Sequence, residues 1–297
     1  MYKHLLVPLD GSKLAEAVLP AARAWAERLH ARLTLLHITE KNAPAKIHGE
    51  HHLASTREAE TYLAALAATL ARPGLAVQWH VHEAEASVAQ MIVDQAAELK
   101  TDLIVLNTHG SSDLREKLLG NIAQHVLREG RVPVLLVRPQ RDALPGDRPI
   151  LNILLPLDGE RVHETALPLA IELAEVFGAT THLLNVAPTV ETLTGEDSVP
   201  GVVLPNAMRA VLDLAQRGGE EYLRRVRATI TLATTAEVAR GDPAKMIALV
   251  AQKVNADLII MATHGRMGLG AFWSASVAPK VLHEVVAPLL LVRASEA

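Results

Sequence analysis

HLLVPLDGS at residues 4 to 12 and NILLPLDGE at residues 152 to 160 decide the fold, because one stretch repeats the other 148 positions later. Each begins with an apolar run and ends in Leu-Asp-Gly, a pattern typical of a buried strand followed by a turn. Self-similarity at this distance indicates duplication of a whole unit rather than a local motif. The sequence therefore predicts two copies of one domain.

Two later pairs of segments extend the repeat. TDLIVLNTHG (101–110) returns as ADLIIMATHG (256–265), and VPVLLVRP (132–139) returns as APLLLVRA (287–294). Their offset is 155 instead of 148, so the second copy contains seven extra residues. We place these residues in 187–205, which is rich in Gly, Pro and Thr.

The length of 297 residues agrees with two domains. We predict domain one over 1–140 and domain two over 149–297, joined by a linker over 139–149.

Within each copy, short apolar runs alternate with longer amphipathic stretches, which predicts an α/β fold with a parallel sheet. We expect two doubly wound five-stranded domains in tandem, each with strand order 3-2-1-4-5. The strands of copy one are predicted at about 3–9, 32–38, 75–82, 102–107 and 132–138. The helices are predicted at 13–30 in copy one and, in copy two, at 207–228 and after Gly241-Asp242-Pro243.

The fifth strand of each copy is apolar and is predicted to lie at a sheet edge. These strands cover residues 133–137 and 288–292. An exposed apolar edge promotes aggregation unless another strand covers it. We therefore expect the two strands to pair and the copies to pack as an intramolecular pseudo-dimer.

Composition excludes several classes of function. The chain has 29 basic and 33 acidic residues, a formal charge of -4 and few aromatic residues, which argues against a dedicated nucleic-acid binder. It has no cysteine, so disulfides and thiolate chemistry are absent. The N-terminal apolar run is too short for a signal peptide or a membrane span. We expect a cytoplasmic protein with no nucleic-acid or membrane partner.

In a doubly wound sheet, ligands bind at the carboxyl ends of the strands, where the strand order reverses. Strand one ends at Asp10 in copy one and at Asp158 in copy two. Strand four ends in a turn that reads Asn-Thr-His-Gly in copy one (107–110) and Ala-Thr-His-Gly in copy two (262–265). A loop follows this turn, and then a helix that starts with small residues. Free N–H groups at a helix start suit phosphate. We predict an anion site at this edge.

Both copies resemble universal stress protein domains, and the chain resembles a tandem universal stress protein. The resemblance implies a binding site for ATP, with or without Mg²⁺. The family motif that holds the nucleotide is a glycine, two further residues, a second glycine, nine further residues, and then a third glycine followed by Ser or Thr. The matching positions are Asn107, Gly110, Gly120 and Asn121 in copy one and Ala262, Gly265, Ala275 and Ser276 in copy two. The spacing is kept, and each copy departs from the pattern at two positions.

The resemblance also implies which residues meet the nucleoside. Asp10 or Asp158 would recognise the adenosine end of the nucleotide. The rest of the pocket would be lined by Ile38 or Val186 on the second strand and by Ile122 or Val277 after the glycine loop.

Simpler roles exist for the same residues. Asp10 and Asp158 could cap the next helix or form a turn, and Gly110 and Gly265 could only supply a positive φ angle. His109 and His264 lie in the turn that ends strand four, with no nearby Ser-Asp or Cys arrangement, so we predict no catalytic residue. P-loop, Rossmann and hydrolase motifs are absent.

Histidines in copy one raise the alternative of a zinc site. His48, His51 and His52 lie in a loop over residues 43–55 that we expect to be a mobile connection. His80 and His82 share one strand face but supply only half of a tetrahedral site. Copy two keeps none of these histidines, which excludes a metal function common to both copies, and we predict no metal site.

The function expected from the resemblance is an adenine-nucleotide-binding module for stress response or signalling. It would act through nucleotide-dependent conformation on a protein partner whose identity is unknown, either as one chain or as a homodimer. The alternative is a nucleotide-independent interaction protein of the same fold with decayed sites. We expect no enzyme, and slow ATP hydrolysis ranks third because no general base is evident.

If one copy alone binds nucleotide, the sequence favours copy two. Its substitutions Ala262 and Ala275 are small, and Ser276 keeps the hydroxyl at the helix start, whereas Asn107 of copy one is bulkier. The copy-two loop also carries Arg266 and no acidic residue.

Overall fold

The computed structural model describes residues 1–40, 46–47, 50–51, 53, 55–108, 120–138, 149–192, 205–263 and 277–294. The chain divides into two compact units. The first contains Met1–Pro149 together with the C-terminal segment Pro288–Arg293, and the second contains Ile150–Thr263 and residues 277–287. Among the helices in the described ranges, none has the combined length and apolar character needed to cross a bilayer.

Strands and helices alternate along the first unit. In chain order they are β1 (His4–Pro8), α1 (Lys13–Glu16), α2 (Leu19–Leu29), β2 (Arg32–Thr39), β3 (Lys46–Ile47), β4 (Glu50–His51), α3 (Thr56–Leu70), β5 (Val77–Glu83), α4 (Val88–Glu98), β6 (Leu103–Asn107), α5 (Asn121–Glu129) and β7 (Val134–Val137).

The main sheet of the first unit has β1 at its centre. The parallel strands lie in the order β5, β2, β1, β6, β7, which is the predicted order 3-2-1-4-5. Leu5 is paired with Leu33 on β2 and with Leu103 on β6. Leu5, Leu6 and Val7 are all fully buried, with no alternation, because a parallel sheet is covered on both faces. The predicted α/β class is confirmed.

The second unit repeats this plan. Its elements are β8 (Asn152–Pro156), a 3-10 helix (Arg161–Thr165), α6 (Ala166–Phe177), β9 (Thr180–Ala187), α7 (Pro205–Ala228), β10 (Thr234–Arg240), α8 (Pro243–Lys253), β11 (Leu258–Thr263) and α9 (Val277–Glu284). The parallel strands lie in the order β10, β9, β8, β11. Proline stands in the first turn of α7 and α8, where its missing N–H costs no helical hydrogen bond.

The fifth strand of copy two, β12 (Leu289–Arg293), belongs to the first unit, where it pairs antiparallel with β7. Leu290 lies opposite Leu135, and both side chains are fully buried. The Arg293 Nη1 group donates to the carbonyl of Gly130 at 2.7 Å. The predicted pairing of the two fifth strands is therefore present. The wider pseudo-dimer arrangement stays a prediction.

The helix predicted over 13–30 is divided into α1 and α2. Ser12 caps α1 by accepting a hydrogen bond from the Ala15 N–H, and Pro20 lies in the first turn of α2. Proline has no N–H to donate to the carbonyl four residues earlier, so an uninterrupted helix through Pro20 would lose a bond and place its ring against that carbonyl. The apolar stripe of α2 is buried as predicted, with Trp25 5% exposed.

The connection over 43–55, which we expect to be mobile, contains a short strand pair where the structure describes it, and its mobility stays a prediction. Strands β3 and β4 form a short antiparallel pair, with Lys46 opposite His51. Leu53 is buried and its side chain lies against Gly11. Burial of a leucine side chain is favourable in free energy even where its neighbours in the sequence are mostly polar. His48 and His52 lie outside the described residues.

A buried histidine joins the amino ends of β1 and β2. His4 is 4% exposed, and Arg32 Nη2 lies 2.9 Å from its Nδ1. A guanidinium group only donates, so Nδ1 accepts and Nε2 carries the proton, which it donates to Thr34 Oγ1 at 2.8 Å. Burial, and then the charge of Arg32, lower the pKa of His4.

The second unit makes the equivalent hydrogen bond with different residues. Asn152 takes the place of His4 and His182 takes the place of Thr34. His182 Nε2 donates to Asn152 Oδ1 at 3.0 Å, and its Nδ1 accepts from the Thr235 hydroxyl at 2.8 Å. Burial lowers the pKa of His182. Both histidines are therefore neutral at pH 7.

Pairing of β7 with β12 predicts that the two copies stay associated after cleavage of the linker. We expect a chain with a protease site inserted within 139–149 to elute as one species after complete cleavage, measured by size-exclusion chromatography with light scattering. Leu290→Asp should release the fragments, because it buries an unpaired charge opposite Leu135. Free separation of the wild-type fragments would contradict this prediction.

Acid should destabilise the fold through His4 and His182. Their pKa values lie below 6.5 in the folded chain, so the unfolded state binds more protons at acidic pH. This stability is complete above pH 6.5 and is lost as the pH falls toward the folded pKa values. We expect the melting temperature to drop between pH 7.5 and 5, with a shallower slope for the His4→Gln/His182→Gln double variant in calorimetry. An unchanged slope would count against both histidines.

Candidate functional site

The turn after β1 holds Asp10 at the carboxyl edge of the first sheet. Asp10 Oδ1 accepts a hydrogen bond from the Ser12 N–H at 2.9 Å and another from the Ser12 hydroxyl at 2.6 Å. Ser12 is fully buried and its Oγ accepts from the Ala15 N–H at 3.1 Å. Asp10 thus forms the turn, as the simpler interpretation expected, and its partly exposed carboxylate is fixed in position by the start of α1.

A buried side chain on the second strand fixes the residue before each aspartate. His37 Nδ1 donates to the carbonyl of Leu9 at 2.8 Å, and Asn185 Nδ2 donates to the carbonyl of Leu157 at 2.8 Å. Gly219 of α7 lies against Asn185, and a Cβ there would come within 2.4 Å of its Oδ1. Sequence reasoning missed His37 and Asn185, although each directly precedes a predicted pocket residue.

The end of β6 lies next to the start of the chain's first helix. Asn107 Nδ2 donates to the carbonyl of Leu14 in α1 at 2.8 Å. The Gly120 N–H donates to the carbonyl of Thr108 at 3.2 Å, which brings the start of α5 to the end of β6. Gly120 has no side chain to cap α5. The first N–H groups of α5 therefore lie beside the end of β6, where they could meet an anion.

The predicted pocket residues of copy one differ in exposure. Ile38 is buried, at 5%, whereas Ile122 is 41% exposed and Asn121 is exposed. In copy two Val186, Ala262 and Val277 are half-buried. Gly110, Gly265, Ala275 and Ser276 lie outside the described residues, as do His109 and His264. The assignment of these site residues stays a prediction.

Copy two builds its turn differently. Asp158 Oδ1 accepts from the Glu160 N–H at 2.9 Å, and Asp158 Oδ2 lies 2.5 Å from His163 Nδ1. A carboxylate only accepts, so the imidazole donates. Glu160 stands where copy one has Ser12 and makes no capping bond, and a 3-10 helix replaces α1. Because it follows Asp158 by little more than one helical turn, His163 could have been singled out from the sequence.

A tyrosine reaches the glutamate of the first helical segment in each copy. Tyr62 on α3 donates to Glu16 Oε1 at 3.1 Å. Tyr222 on α7 lies near Glu164, which occupies the place of Glu16. Burial, and then the charge of Glu164, raise the pKa of Tyr222, so its hydroxyl keeps its proton. The two tyrosines stand at different helix positions and lie near equivalent glutamates.

Asp158, Glu160 and His163 could provide three ligands for a metal ion, since their ligand atoms lie within 4.8 Å of one another. Two ligands of one zinc ion, each bound at about 2.0–2.1 Å in tetrahedral geometry, lie about 3.3 Å apart. The 2.5 Å separation of Nδ1 and Oδ2 is much shorter than this and is instead that of a direct hydrogen bond between the two side chains. The arrangement is that of a hydrogen-bonded histidine–carboxylate pair.

Comparisons with known proteins agree with this architecture. A model of the universal stress protein family matches residues 1–138 and again 149–293. A universal stress protein of Methanocaldococcus jannaschii is 30% identical over 153 residues, covering 50% of this chain and 85% of that protein. One from Mycolicibacterium smegmatis is 25% identical over 286 residues, covering 94% of this chain and 86% of its own length. A solved structure of a functionally unknown Pseudomonas aeruginosa protein has a TM-score of 0.70 and 19% identity, covering 99% of this chain and 93% of its own.

The glycine after each aspartate gives a matched pair of variants. Gly11 and Gly159 have φ angles of +90° and +93°, so alanine at either is strained by about 1–2 kcal/mol. A Cβ on Gly11 would come within 2.9 Å of Leu53 Cγ, whereas no atom of the described residues lies within 4 Å of the Cβ position of Gly159. We expect Gly11→Ala to lower the melting temperature more than Gly159→Ala does. Equal losses of melting temperature in the two variants would show that the Leu53 side chain moves aside at no cost, and would contradict this prediction.

Proposed function

This chain belongs to the universal stress protein family as two tandem domains, and we propose that it binds an adenine nucleotide, ATP with or without Mg²⁺, at the carboxyl edge of its sheets. The observation that carries the proposal is the same preoriented carboxylate in both copies. Asp10 Oδ1 and Asp158 Oδ1 each accept the backbone N–H two residues later at 2.9 Å. A carboxylate fixed in this way is prepared to accept hydrogen bonds from a ribose or an adenine amino group.

The start of α5 supports the phosphate end of the proposed site. Its N-terminal residue, Asn121, follows Gly120, which provides no side-chain cap. Backbone N–H groups and the positive end of the helix dipole bind phosphate without a dedicated cation. Asp10 follows β1, the start of α5 follows β6, and these two strands pair directly. A nucleoside polyphosphate could therefore contact both Asp10 and the start of α5.

We propose that the bound nucleotide acts as a signal rather than as a substrate. Among the described residues at this edge, Asp10, Asn107 and Asp158 all make hydrogen bonds to the protein, and none is placed as a nucleophile with a base. A protein partner in the cytoplasm would then recognise the nucleotide-dependent conformation of this protein. The protein would act either as one chain or as a homodimer.

The second candidate is a nucleotide-independent interaction protein with decayed sites. Asn107 favours it, because this side chain stands where the family pattern has glycine and bonds to the carbonyl of Leu14 in α1. A bulky side chain at that position reduces how closely a phosphate can approach the backbone.

Titration calorimetry with ATP distinguishes these functions. We expect wild-type protein to bind ATP, Gly110→Asp and Gly265→Asp each to abolish one site, and the double variant to bind none, because a carboxylate in a phosphate site repels the anion. These two positions follow from the family motif. Ala71→Asp is the control, since it adds the same charge at an exposed residue just before β5, at the opposite edge of the sheet.

Absence of heat with wild-type protein, together with absence of adenine nucleotide in the supernatant of the denatured protein, would favour the interaction protein. Loss of binding in Ala71→Asp as well would show that the effect is not local.

A further inference from the structure

Two histidines of β5 place their side chains on the same face of the first sheet. His80 and His82 are both half-buried, their ring centroids lie 6.1 Å apart and their ring planes are inclined by 32°. Rings at this separation are in contact, so each limits how far the other can turn. The pair therefore forms a partly accessible aromatic surface near the carboxyl end of β5, which ends at Glu83.

This pair points away from α3. The Thr56 hydroxyl at the start of α3 donates to Glu83 Oε1 at 3.2 Å, so Glu83 points toward α3. Side chains alternate along a strand. His80 and His82 therefore lie on the opposite face of the sheet.

The second unit shows which helices cover that opposite face. Glu237 occupies the place of His80, because the two residues pair with the equivalent leucines Leu184 and Leu36 of the second strands. Lys253 Nζ of α8 donates to Glu237 Oε1 at 2.8 Å. In the first unit the helix that corresponds to α8 is α4, which packs against α5. The histidine pair therefore lies on the same side of the sheet as α5, whose start is the proposed phosphate end of the site.

His82 is next to the predicted nucleoside pocket. Its register partner on β2 is Ile38, the residue that the family resemblance places in that pocket. Register partners on neighbouring strands point to the same face, and the strands lie about 4.8 Å apart. A nucleotide with its phosphates at α5 and its sugar near Asp10 extends toward β2, and its base then lies beside β5.

Copy two has no ring at this position. Ala239 is the register partner of Val186, as His82 is of Ile38. A methyl group offers a base much less contact area than an imidazole does. The aromatic surface is therefore specific to copy one.

We propose that the base of the bound nucleotide stacks on His82 in copy one, with His80 as a positioning residue behind it. This inference rests on the proposed function, because it concerns the base end of the same nucleotide. Histidine is one of the side chains on which bases stack, and every base has a face that can do so. The base thus contributes more to affinity in copy one than in copy two.

Titration calorimetry measures the contribution of the ring in copy one. In the Gly265→Asp background, which leaves copy one, we expect His82→Ala to raise the Kd of ATP about five- to tenfold. His82→Phe keeps a flat ring and should change this Kd by less than about twofold. The Kd of inorganic tripolyphosphate, which has no base, should stay the same in both variants. Gln78→Ala is the matched control, since Gln78 is exposed on the same face of β5 near its other end.

The reciprocal change tests copy two. In the Gly110→Asp background, which leaves copy two, Ala239→His should lower the Kd of ATP, because it adds the ring that copy one has. Circular dichroism checks that each variant is folded.

Proton NMR locates the base in the otherwise unchanged chain. The imidazole Hε1 signal that is absent from the spectrum of His82→Phe belongs to His82. We expect ATP to move this signal upfield, because the proton enters the ring current of the stacked base, and tripolyphosphate to leave it in place. This measurement decides the outcome if a Gly→Asp variant does not fold.

The outcomes separate this inference from the proposed function. If the wild-type chain binds ATP but His82→Ala leaves the Kd of ATP unchanged, or raises that of tripolyphosphate by the same factor, the inference is wrong and nucleotide binding stands. Binding by copy two alone, or a His82 signal that stays in place on saturation with ATP, overturns the inference in the same way. If the wild-type chain binds no ATP, the proposed function fails and this inference fails with it.

Discussion

The parallel pairing of β1 with both β2 and β6 is the constraint on which the rest of the first unit depends. At β1 the order of the strands reverses, so the connections on its two sides cover opposite faces and a crevice opens at the carboxyl edge. Asp10 and Asn107 reach this edge although 97 positions separate them in the chain. Complete burial of Leu5, Leu6 and Val7 maintains the pairing, because exposing them would lose much of the apolar contact of the core.

The two copies preserve hydrogen bonds more closely than residues. The amino ends of strands one and two are joined through His4 and Thr34 in one copy and through Asn152 and His182 in the other. An unpaired buried polar atom costs about 1–3 kcal/mol, so either residue can change only if its partner still completes the bond. The carbonyl before each aspartate shows the same principle, with a histidine donor in one copy and an asparagine donor in the other.

The two copies also diverge at the turn after the first strand. Ser12 in copy one both bonds to Asp10 and caps α1, whereas Glu160 in copy two leaves that turn as a 3-10 helix, and the His163 side chain bonds to Asp158. Glu160 in place of Ser12 at the cap position is therefore accompanied by a 3-10 helix in place of α1. With this change of backbone, the aspartate has a new hydrogen-bond partner, His163. Duplication thus produced two similar edges with different chemistry.

By itself, the sequence determined the duplication, the α/β class, the strand order, the pairing of the fifth strands and the position of Asp10 and Asp158 at the carboxyl edge. These features follow from apolar periodicity and from the repeat, which report burial and chain order. Tertiary structure alone decided the burial of Leu53 against Gly11 and the contact of His37 with Leu9. Such contacts depend on where several packed elements place individual atoms, to within a few tenths of an ångström, and periodicity contains no information at that scale.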